Sequence, residues 1–313
     1  MNSKVLIIAG PTASGKKQFA LRMAERFNGE IVSADSRKVY RYLEIGTAKP
    51  SREERERVPH HLIDIIEPDE PFSAGEWVRR ASEAVRGIID RGKLPIISGG
   101  TGFYIEAFTE GLSGGISPEH GLRAELEKEL RDEGPDFLYG ELVRIDPERA
   151  AELHSHDVFR VMRSLEIVRS TGETYKEIRT AAKISGGEYD YRFIGITSER
   201  EILYQRINER LDRMVKAGLL DELSSVLSRG FSRKQTSLNT VGYKEWFPFM
   251  DGAETFENCL EAAKRDTRRY AKRQLTWFRN KPGFFWVDSS EADAVNEAET
   301  DIALWYEGAD EKT

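Results

Sequence analysis

The segment from Gly10 to Lys17, "GPTASGKK", has the residue types and the spacing that bind phosphate groups. Gly10, Gly15 and Lys16 match the G-x-x-x-x-G-K-[ST] pattern, between an apolar run and a helix-like pattern. Small residues let backbone N–H groups surround an anion, and Lys16 adds a full charge. The segment therefore predicts a polyphosphate site, in preference to a tight turn without a ligand.

Asp35 is the second residue with a chemical interpretation, because it follows the apolar run "GEIVSA". A carboxylate at a strand end beside a phosphate loop holds Mg²⁺ through water or acts as a general base. The string "ADS" also suits a helix N-cap or a turn. We favour a role in the chemistry.

Short apolar runs alternate with helix-like segments through the first and last thirds of the chain. This alternation predicts an α/β core, P-loop NTPase-like, with a mainly parallel sheet. Ligands of such sheets bind at the carboxyl ends of the strands, so we expect Gly10, Asp35 and Gly99 to meet in one cleft. The predicted strands are 4–10, 29–36, 60–66, 93–100, 189–199 and the run "GFFWVD" near the end.

Between Pro118 and Ala182 the pattern changes to charged helices without a convincing strand. We predict an all-helical domain inserted into the core. The predicted organisation is 1–115 (first part of the core), 116–186 (helical domain), 187–290 (second part of the core) and 291–313 (peripheral acidic tail).

Composition limits the class of protein. The longest apolar runs are far shorter than the ~20 residues of a membrane helix, and the chain opens without a signal-like segment. We therefore expect a cytoplasmic protein without membrane contact. The single cysteine, Cys259, excludes an internal disulfide framework.

The net charge is −7, yet the segment from Lys264 to Lys281 carries eight Lys or Arg and one acid. Cationic residues recur there every three or four positions, with aromatic residues between them. Such a helix face suits a phosphodiester backbone, although a solvated face is an equally good interpretation.

Several strings stand in the order seen in tRNA dimethylallyltransferases: "GPTASGK", "SADSRKVYRYLEIGTAKP", "HHLIDI", "SGGTGFYIEAFTEGLS", "TVGYKE" and "RRYAKRQLTWFR". The chain resembles this family, in its bacterial type, over about residues 4–288. The resemblance implies transfer of a dimethylallyl group from dimethylallyl diphosphate to the N6 amine of the adenosine 3′ of the anticodon. The expected partners are the tRNA anticodon stem-loop and this donor, bound by a monomer.

The resemblance also implies roles for individual residues. Asp35 is the expected catalytic base, and Lys16 and Arg210 are expected to act on the diphosphate. The expected diphosphate-binding residues are Gly10, Thr12, Ala13, Ser14, Gly15, Lys16 and Lys17. The expected tRNA-binding residues are Ser36, Arg37, Lys38, Thr101, Arg123, Phe159, Arg160, Arg163, Asn239, Gly242, Tyr243, Lys244, Arg268, Arg269, Lys272 and Arg273.

Three positions depart from the family pattern: Lys17 replaces Ser or Thr, Lys38 replaces Gln, and His156 replaces Asn. We expect Mg²⁺ as a cofactor, with Asp35 holding it through water. Lys17 weakens this expectation, because an ammonium cannot ligate Mg²⁺ and repels it at close range. Either Lys17 turns away from the metal, or it neutralises part of the diphosphate charge itself.

Three alternatives stay open. An isopentenyltransferase acting on free AMP or ADP would not need the helical domain or the basic helix. A small-molecule kinase is the commonest use of a lone phosphate loop. A protein that binds RNA without catalysis would result if Lys17 had abolished turnover.

Overall fold

The computed structural model describes residues 3–111, 120–183 and 189–308, to which every structural statement below refers. The chain divides into two compact units, one formed by 1–105 with 189–313 and the other by 106–188. The predicted boundaries at 115/116 and 186/187 lie outside the described residues. Among the described helices, none has the length and apolarity needed to cross a membrane.

A six-stranded parallel sheet forms the centre of the first unit, in the order β3-β2-β4-β1-β5-β6. The predicted parallel α/β sheet is confirmed. The register pairs Gly99 of β4 with both Ala9 and Ala34, so the ends of three strands lie side by side. The strands are β1 (Ser3–Ala9), β2 (Gly29–Ala34), β3 (His60–His61), β4 (Leu94–Gly99), β5 (Tyr189–Thr197) and β6 (Phe284–Asp288).

Helices connect and cover these strands, and α5 to α9 belong to the second unit. They are α1 (Lys16–Arg26), α2 (Arg52–Arg57), α3 (Ala74–Asp90), α4 (Gly102–Glu110), α5 (His120–Glu133), α6 (Pro135–Ile145), α7 (Pro147–Ala151), α8 (Val158–Thr171), α9 (Tyr175–Lys183), α10 (Arg200–Lys216), α11 (Leu219–Ser228), α12 (Phe247–Met250), α13 (Phe256–Arg279) and α14 (Ala292–Glu307).

The core of the first unit follows from the apolar patterns. Val5 to Ala9 are fully buried because a central parallel strand is covered on both faces. Helix α1 adds Phe19, Ala20 and Met23, which recur at helical spacing and are buried against the sheet. This packing fixes the point where β1 ends and α1 begins.

The predicted strand over 60–66 is mostly wrong. Only His60–His61 form β3. Leu62 and Asp64 have φ values of 62° and 58°, a left-handed conformation that ends an extended strand. Ile66 forms an isolated parallel bridge with Tyr40, outside the strands of the sheet.

The predicted peripheral tail over 291–313 is also corrected. Most of it forms α14, whose Ala298 and Ile302 are fully buried in the core of the sheet. Glu299 accepts a hydrogen bond from Arg26 at 3.0 Å. Two small or branched apolar residues four positions apart are enough to bury one face of an otherwise acidic helix. The end of the segment lies outside the described residues.

The second unit has its own core of buried leucines and other apolar residues from α5, α6 and α8. Leu126, Leu138, Leu142 and Leu165 are fully buried. The described parts of this unit, residues 106–111 and 120–183, contain helices and no strand.

Candidate functional site

The loop between β1 and α1 takes a backbone path that its small residues permit. A Cβ atom on Gly10 would lie 2.2 Å from the carbonyl oxygen of Ile196, so only glycine fits there without moving β5. Gly15, with φ of 88°, is the N-cap of α1, and Ala13 has φ of 63°. The first turn of α1, with its unpaired N–H groups, therefore begins where an anion is favoured.

A cavity of about 870 Å³ lies at the carboxyl ends of β1, β2 and β4. Asp35 and Gly99 line it together with the residues that follow Gly10, in agreement with the predicted cleft. Residues from α10 and α13 complete its wall. Among the charged and polar lining residues are Thr12, Lys16, Lys17, Arg37, Lys38, Arg206, Arg210 and Gln274.

Lys16 extends along the loop and donates a hydrogen bond from Nζ to the carbonyl oxygen of Pro11 at 3.0 Å. The pKa of Lys16 is lowered to about 7, mainly by burial and also by the charges of Lys38 and Arg210, while the charge of Asp35 opposes this shift. A lysine in this setting is stabilised as an ammonium when an anion enters the cavity.

Arg210 joins the loop from α10. Its Nη1 donates a hydrogen bond to Oγ1 of Thr12 at 3.1 Å. Burial lowers the pKa of Arg210 from its ordinary value, and Asp35 partly counters this effect. The predicted pair of Lys16 and Arg210 therefore lies against one loop, 194 positions apart in sequence.

Asp35 directly follows β2, and its Oδ1 accepts a hydrogen bond from the backbone N–H of Arg37 at 2.9 Å. The carboxylate thus stabilises the turn, as the alternative interpretation of "ADS" proposed. Its charge also acts on Lys16, Lys38 and Arg210. The turn contact and a chemical role are compatible.

Thr101 ties two loops of the cavity together. Its Oγ1 accepts a hydrogen bond from the N–H of Ser36 at 3.0 Å, and its own N–H donates to the carbonyl oxygen of Ala34 at 3.0 Å. Both bonds flank Asp35. Thr101 and Ser36 therefore fix the backbone that carries the carboxylate.

Tyr270 of α13 lines the same cavity. Burial raises the pKa of its hydroxyl to about 12, and the charge of Asp35 adds to this shift. The hydroxyl stays protonated and can act as a hydrogen-bond donor at neutral pH.

Gln274 is a positioning residue that the sequence reasoning missed. Its Oε1 accepts from the N–H of Thr12 at 2.9 Å, and its Nε2 donates to the carbonyl oxygen of Gly100 at 2.8 Å. One buried amide thereby joins the phosphate loop to the loop after β4. The available signal was an amide on the mostly apolar buried stripe of α13, between Ala271 and Phe278.

Glu222 of α11 is a second missed residue. Its carboxylate accepts from the backbone N–H groups of Glu44, Ile45 and Gly46 at 2.7, 2.7 and 3.1 Å. Tyr243 donates to the same carboxylate at 2.6 Å. The carboxylate of Glu222 therefore fixes the backbone at the start of the segment "EIGTAKP".

This arrangement corrects the assignment of Tyr243 to tRNA. The Tyr243 side chain is 1% exposed. Its ring packs so closely on Gly46 that a Cβ atom on this glycine would lie 2.3 Å from the ring. A ring enclosed in this way is not available for stacking on a nucleotide. Gly242, with φ of 100°, is also buried, whereas Asn239 and Lys244 are exposed.

A family model described as IPP transferase matches residues 38–281, which is more than half of the chain. The chain belongs to the IPP transferase family. The matched range covers α10, α13 and Thr101, whereas the phosphate loop and Asp35 precede it.

Curated relatives match the chain over most of its length. It is 43% identical over 300 residues to the tRNA dimethylallyltransferase of Alkaliphilus oremlandii, covering 94% of each protein. It is 44% identical over 286 residues to that of Geobacter sulfurreducens, covering 91% of this chain and 92% of the relative.

Solved structures agree with the fold. The tRNA isopentenylpyrophosphate transferase of Bacillus halodurans is 41% identical, with a TM-score of 0.70 and 96% of each chain covered. A eukaryotic dimethylallyltransferase acting on tRNA is 31% identical, with a TM-score of 0.86, 99% of this chain covered and 80% of that one.

Lys17 forms an ion pair with Glu54 of α2, at 2.8 Å from Nζ to Oε1. The sequence pattern places a hydroxyl on Mg²⁺ at this position. Asp35 is the only carboxylate among the described residues that line the cavity, and no group of three metal-ligating side chains occurs in the described ranges. These residues do not fit the usual magnesium seat of a phosphate loop.

The outer face of α13 in this family member is cationic, as its spacing predicts. Arg269, Lys272 and Arg273 are exposed, while Arg268 donates to Oδ1 of Asn208 at 2.7 Å. Arg37 reaches the carbonyl oxygen of Thr236 at 3.2 Å. Arg269 also lies 3.3 Å from Asp266, but the cations of this exposed face outnumber their acidic partner, which leaves a surface suited to a polyanion.

The predicted cations of the second unit are paired. Arg123 and Arg163 both donate to the buried carboxylate of Glu166, at 2.8 and 3.0 Å. Arg160 lies 3.3 Å from Asp157. Phe159 is 69% exposed, and the guanidinium of Arg123 lies 5.8 Å from its ring centre.

Proposed function

We propose that this protein transfers a dimethylallyl group from dimethylallyl diphosphate to the N6 amine of the adenosine 3′ of the anticodon in tRNA and releases diphosphate. The names of its relatives support the reaction class. The observation that carries the proposal is a single cavity in which a carboxylate, Asp35, lies among the cations of a phosphate loop and α10. A kinase would need a magnesium seat that these residues do not form.

The donor binds with its diphosphate against the P-loop formed by Gly10 to Lys17. In the reaction, the bond between the allylic carbon and the bridging oxygen breaks, and its electron pair leaves with the diphosphate. Lys16, Arg210 and the backbone N–H groups of the loop stabilise this charge where it develops, which is commonly the largest catalytic contribution. Gln274 positions the loop through the N–H of Thr12.

The acceptor enters at the Asp35 side of the cavity. The N6 lone pair forms the new carbon–nitrogen bond, and the proton that N6 loses passes to the Asp35 carboxylate. Ser36 and Thr101 hold the backbone on both sides of this carboxylate. The adenine reaches it by leaving the stack of the anticodon loop, at a cost of a few kcal/mol.

The tRNA backbone contacts the cationic face of α13 and exposed side chains such as Phe159 of the helical unit, which acts as an inserted tRNA-binding domain. Exposed cations and an exposed aromatic ring are the groups that bind single-stranded RNA loops. The protein acts as a monomer in the cytoplasm, where its tRNA substrate is found.

Incubation with dimethylallyl diphosphate and either unmodified tRNA or AMP tests the proposal. Mass spectrometry of the digested nucleosides should show N6-dimethylallyladenosine from tRNA only. The Asp35→Asn variant should bind tRNA normally and lose transfer by about 10²–10⁴-fold, the range of a general base. Product on AMP alone, or phosphate transfer from ATP, would contradict the proposal.

A further inference from the structure

The phosphate loop of this chain carries a second lysine at the position of the usual metal-binding hydroxyl, and the structure shows how that lysine is held. Nζ of Lys17 lies 2.8 and 2.9 Å from the two carboxylate oxygens of Glu54. Glu54 also completes the capping box of α2 with Ser51, so its position is fixed by the helix start. Lys17 is therefore kept at the cavity wall, where it lines the cavity.

Lys38 is a further cation of the same wall, and it approaches from the turn after β2. It interacts electrostatically with Asp35, Arg210, Lys17 and Glu54. Within the described part of the chain, no ion pair joins Lys38 to a carboxylate, and the same holds for Lys16 and Arg210. Burial of a cation without a paired anion is costly unless a ligand supplies the anion.

The charges around this wall do not balance. Four cations, Lys16, Lys17, Lys38 and Arg210, interact with only two carboxylates, Asp35 and Glu54. Once a bound anion has raised the lowered pKa values of Lys16 and Lys38, this set carries an excess of about two positive charges, the charge that one divalent cation would bring to a phosphate site. No divalent cation is needed to explain a favourable electrostatic environment for a diphosphate here.

We propose that Lys17 and Lys38, together with Lys16 and Arg210, form a diphosphate site that compensates the ligand's charge with ammonium and guanidinium groups in place of a divalent metal ion. The proposal rests on the proposed function only for the identity of the ligand, the diphosphate of the prenyl donor. Glu54 holds Lys17 at the wall before the ligand binds and competes with the bound ligand for its ammonium group.

Calorimetric titration of the purified full chain with inorganic diphosphate tests this site without turnover. In EDTA the native protein should bind diphosphate, and added Mg²⁺ should change the dissociation constant by less than about threefold. Lys17→Thr restores the hydroxyl of the usual motif. This variant should bind at least about tenfold more weakly in EDTA and recover with Mg²⁺, because removing one partner of a close charge pair weakens binding by this order.

Two more variants sharpen the assignment. Lys38→Gln should also weaken binding in EDTA, and Glu54→Gln should leave it unchanged or make it tighter, because Lys17 is then released toward the ligand. Lys176→Thr is the matched control, since Lys176 is paired with Glu148 at 2.8 Å in the helical unit and should not change binding. Thermal melts identify any variant whose fold is lost.

Two results would overturn the proposal: binding of diphosphate by the native protein only with Mg²⁺, or equal affinity of the native protein and Lys17→Thr in EDTA. The proposed function fails separately. Diphosphate binding in EDTA without prenyl transfer to tRNA contradicts the reaction and leaves the site, whereas transfer combined with strictly Mg²⁺-dependent diphosphate binding contradicts the site and leaves the reaction.

Discussion

The cavity of the first unit and the helical unit use the same residue types in opposite ways. In the cavity, Lys16 and Arg210 bond only to an uncharged carbonyl and an uncharged hydroxyl. In the helical unit, Arg123 and Arg163 share the buried carboxylate of Glu166. The first pattern leaves positive charge for an incoming anion, and the second uses charge inside the fold.

This difference has an energetic consequence. A desolvated cation without a counter-ion lowers the stability of the free protein and is retained where function needs it. A paired arginine contributes to the stability of its own domain. Removing its partner leaves a desolvated charge without a counter-ion, which lowers that stability. Substitutions should therefore separate activity from stability in the cavity, and should change stability first in the helical unit.

The largest expected effect comes from Lys16→Met, which removes the ammonium of the cavity and keeps most of its apolar stem. Prenyl transfer should fall by about 10²–10³-fold, the cost of losing one group that stabilises developing charge. The melting temperature should stay equal or rise, since a desolvated charge is gone. Single-turnover assays and thermal melts measure the two effects. A clear loss of stability would contradict the comparison.

Glu166→Gln should lower stability and leave the rate of transfer unchanged, because Glu166 is 2% exposed and neutralises two arginines. We expect a loss of about 2 kcal/mol in the free energy of unfolding, below the value for fully buried pairs because both arginines are partly exposed. The rate of transfer at saturating tRNA should persist. Glu148→Gln, in an exposed pair with Lys176, should leave the midpoint of urea unfolding unchanged.

The pH dependence of diphosphate binding tests the role of the unpaired lysines, Lys16 and Lys38. The pKa of Lys16 in the free protein is about 7, and an anion raises it, so binding above pH 7 requires uptake of a proton. Affinity should therefore fall as pH rises above 7, by up to about tenfold per pH unit, and Lys16 should contribute no slope below 7. The lowered pKa of Lys38 acts in the same direction. Lys16→Met provides the reference, and an identical slope would contradict the assignment.

Gln274→Leu tests whether the loop must be positioned. The substitution leaves the N–H of Thr12 and the carbonyl oxygen of Gly100 without their partner. Transfer should fall by about tenfold, because two buried polar groups lose a hydrogen bond. Gln205→Leu, on the exposed face of α10, is the control. A variant with a normal rate would show that the loop holds its shape without this bridge.

The smallest effect is expected at the exposed face of α13. Arg269→Gln should raise the KM for tRNA by about threefold and reduce the salt dependence of binding by about one unit of log–log slope, as expected for one phosphate contact. The rate at saturating tRNA should not change. Arg79→Gln on α3 is the exposed control, and an equal effect there would assign both residues to general electrostatics.

Local pattern was sufficient for much of the fold. Apolar runs of strand length separated by helical periodicity predicted the parallel sheet, and the turn after β1 was readable from Gly10, Gly15 and Lys16. The same reasoning overextended β3, because the left-handed residues Leu62 and Asp64 carry no local signal. It also took α14 for a tail, because two buried residues among many acids give a weak pattern.

The sequence by itself determined which residues form the glycine-rich turn with its lysines and which acid follows β2, since each belongs to a short motif whose spacing is set by the backbone. The tertiary structure alone decided what those residues face. Gln274 meets Thr12 across 262 positions, and Lys17 meets Glu54 across 37. Contacts at such separations depend on how helices pack on the sheet, and periodicity within one element contains no information on that packing. For this reason the unusual Lys17 was visible in the sequence, and its carboxylate partner was visible only in the fold.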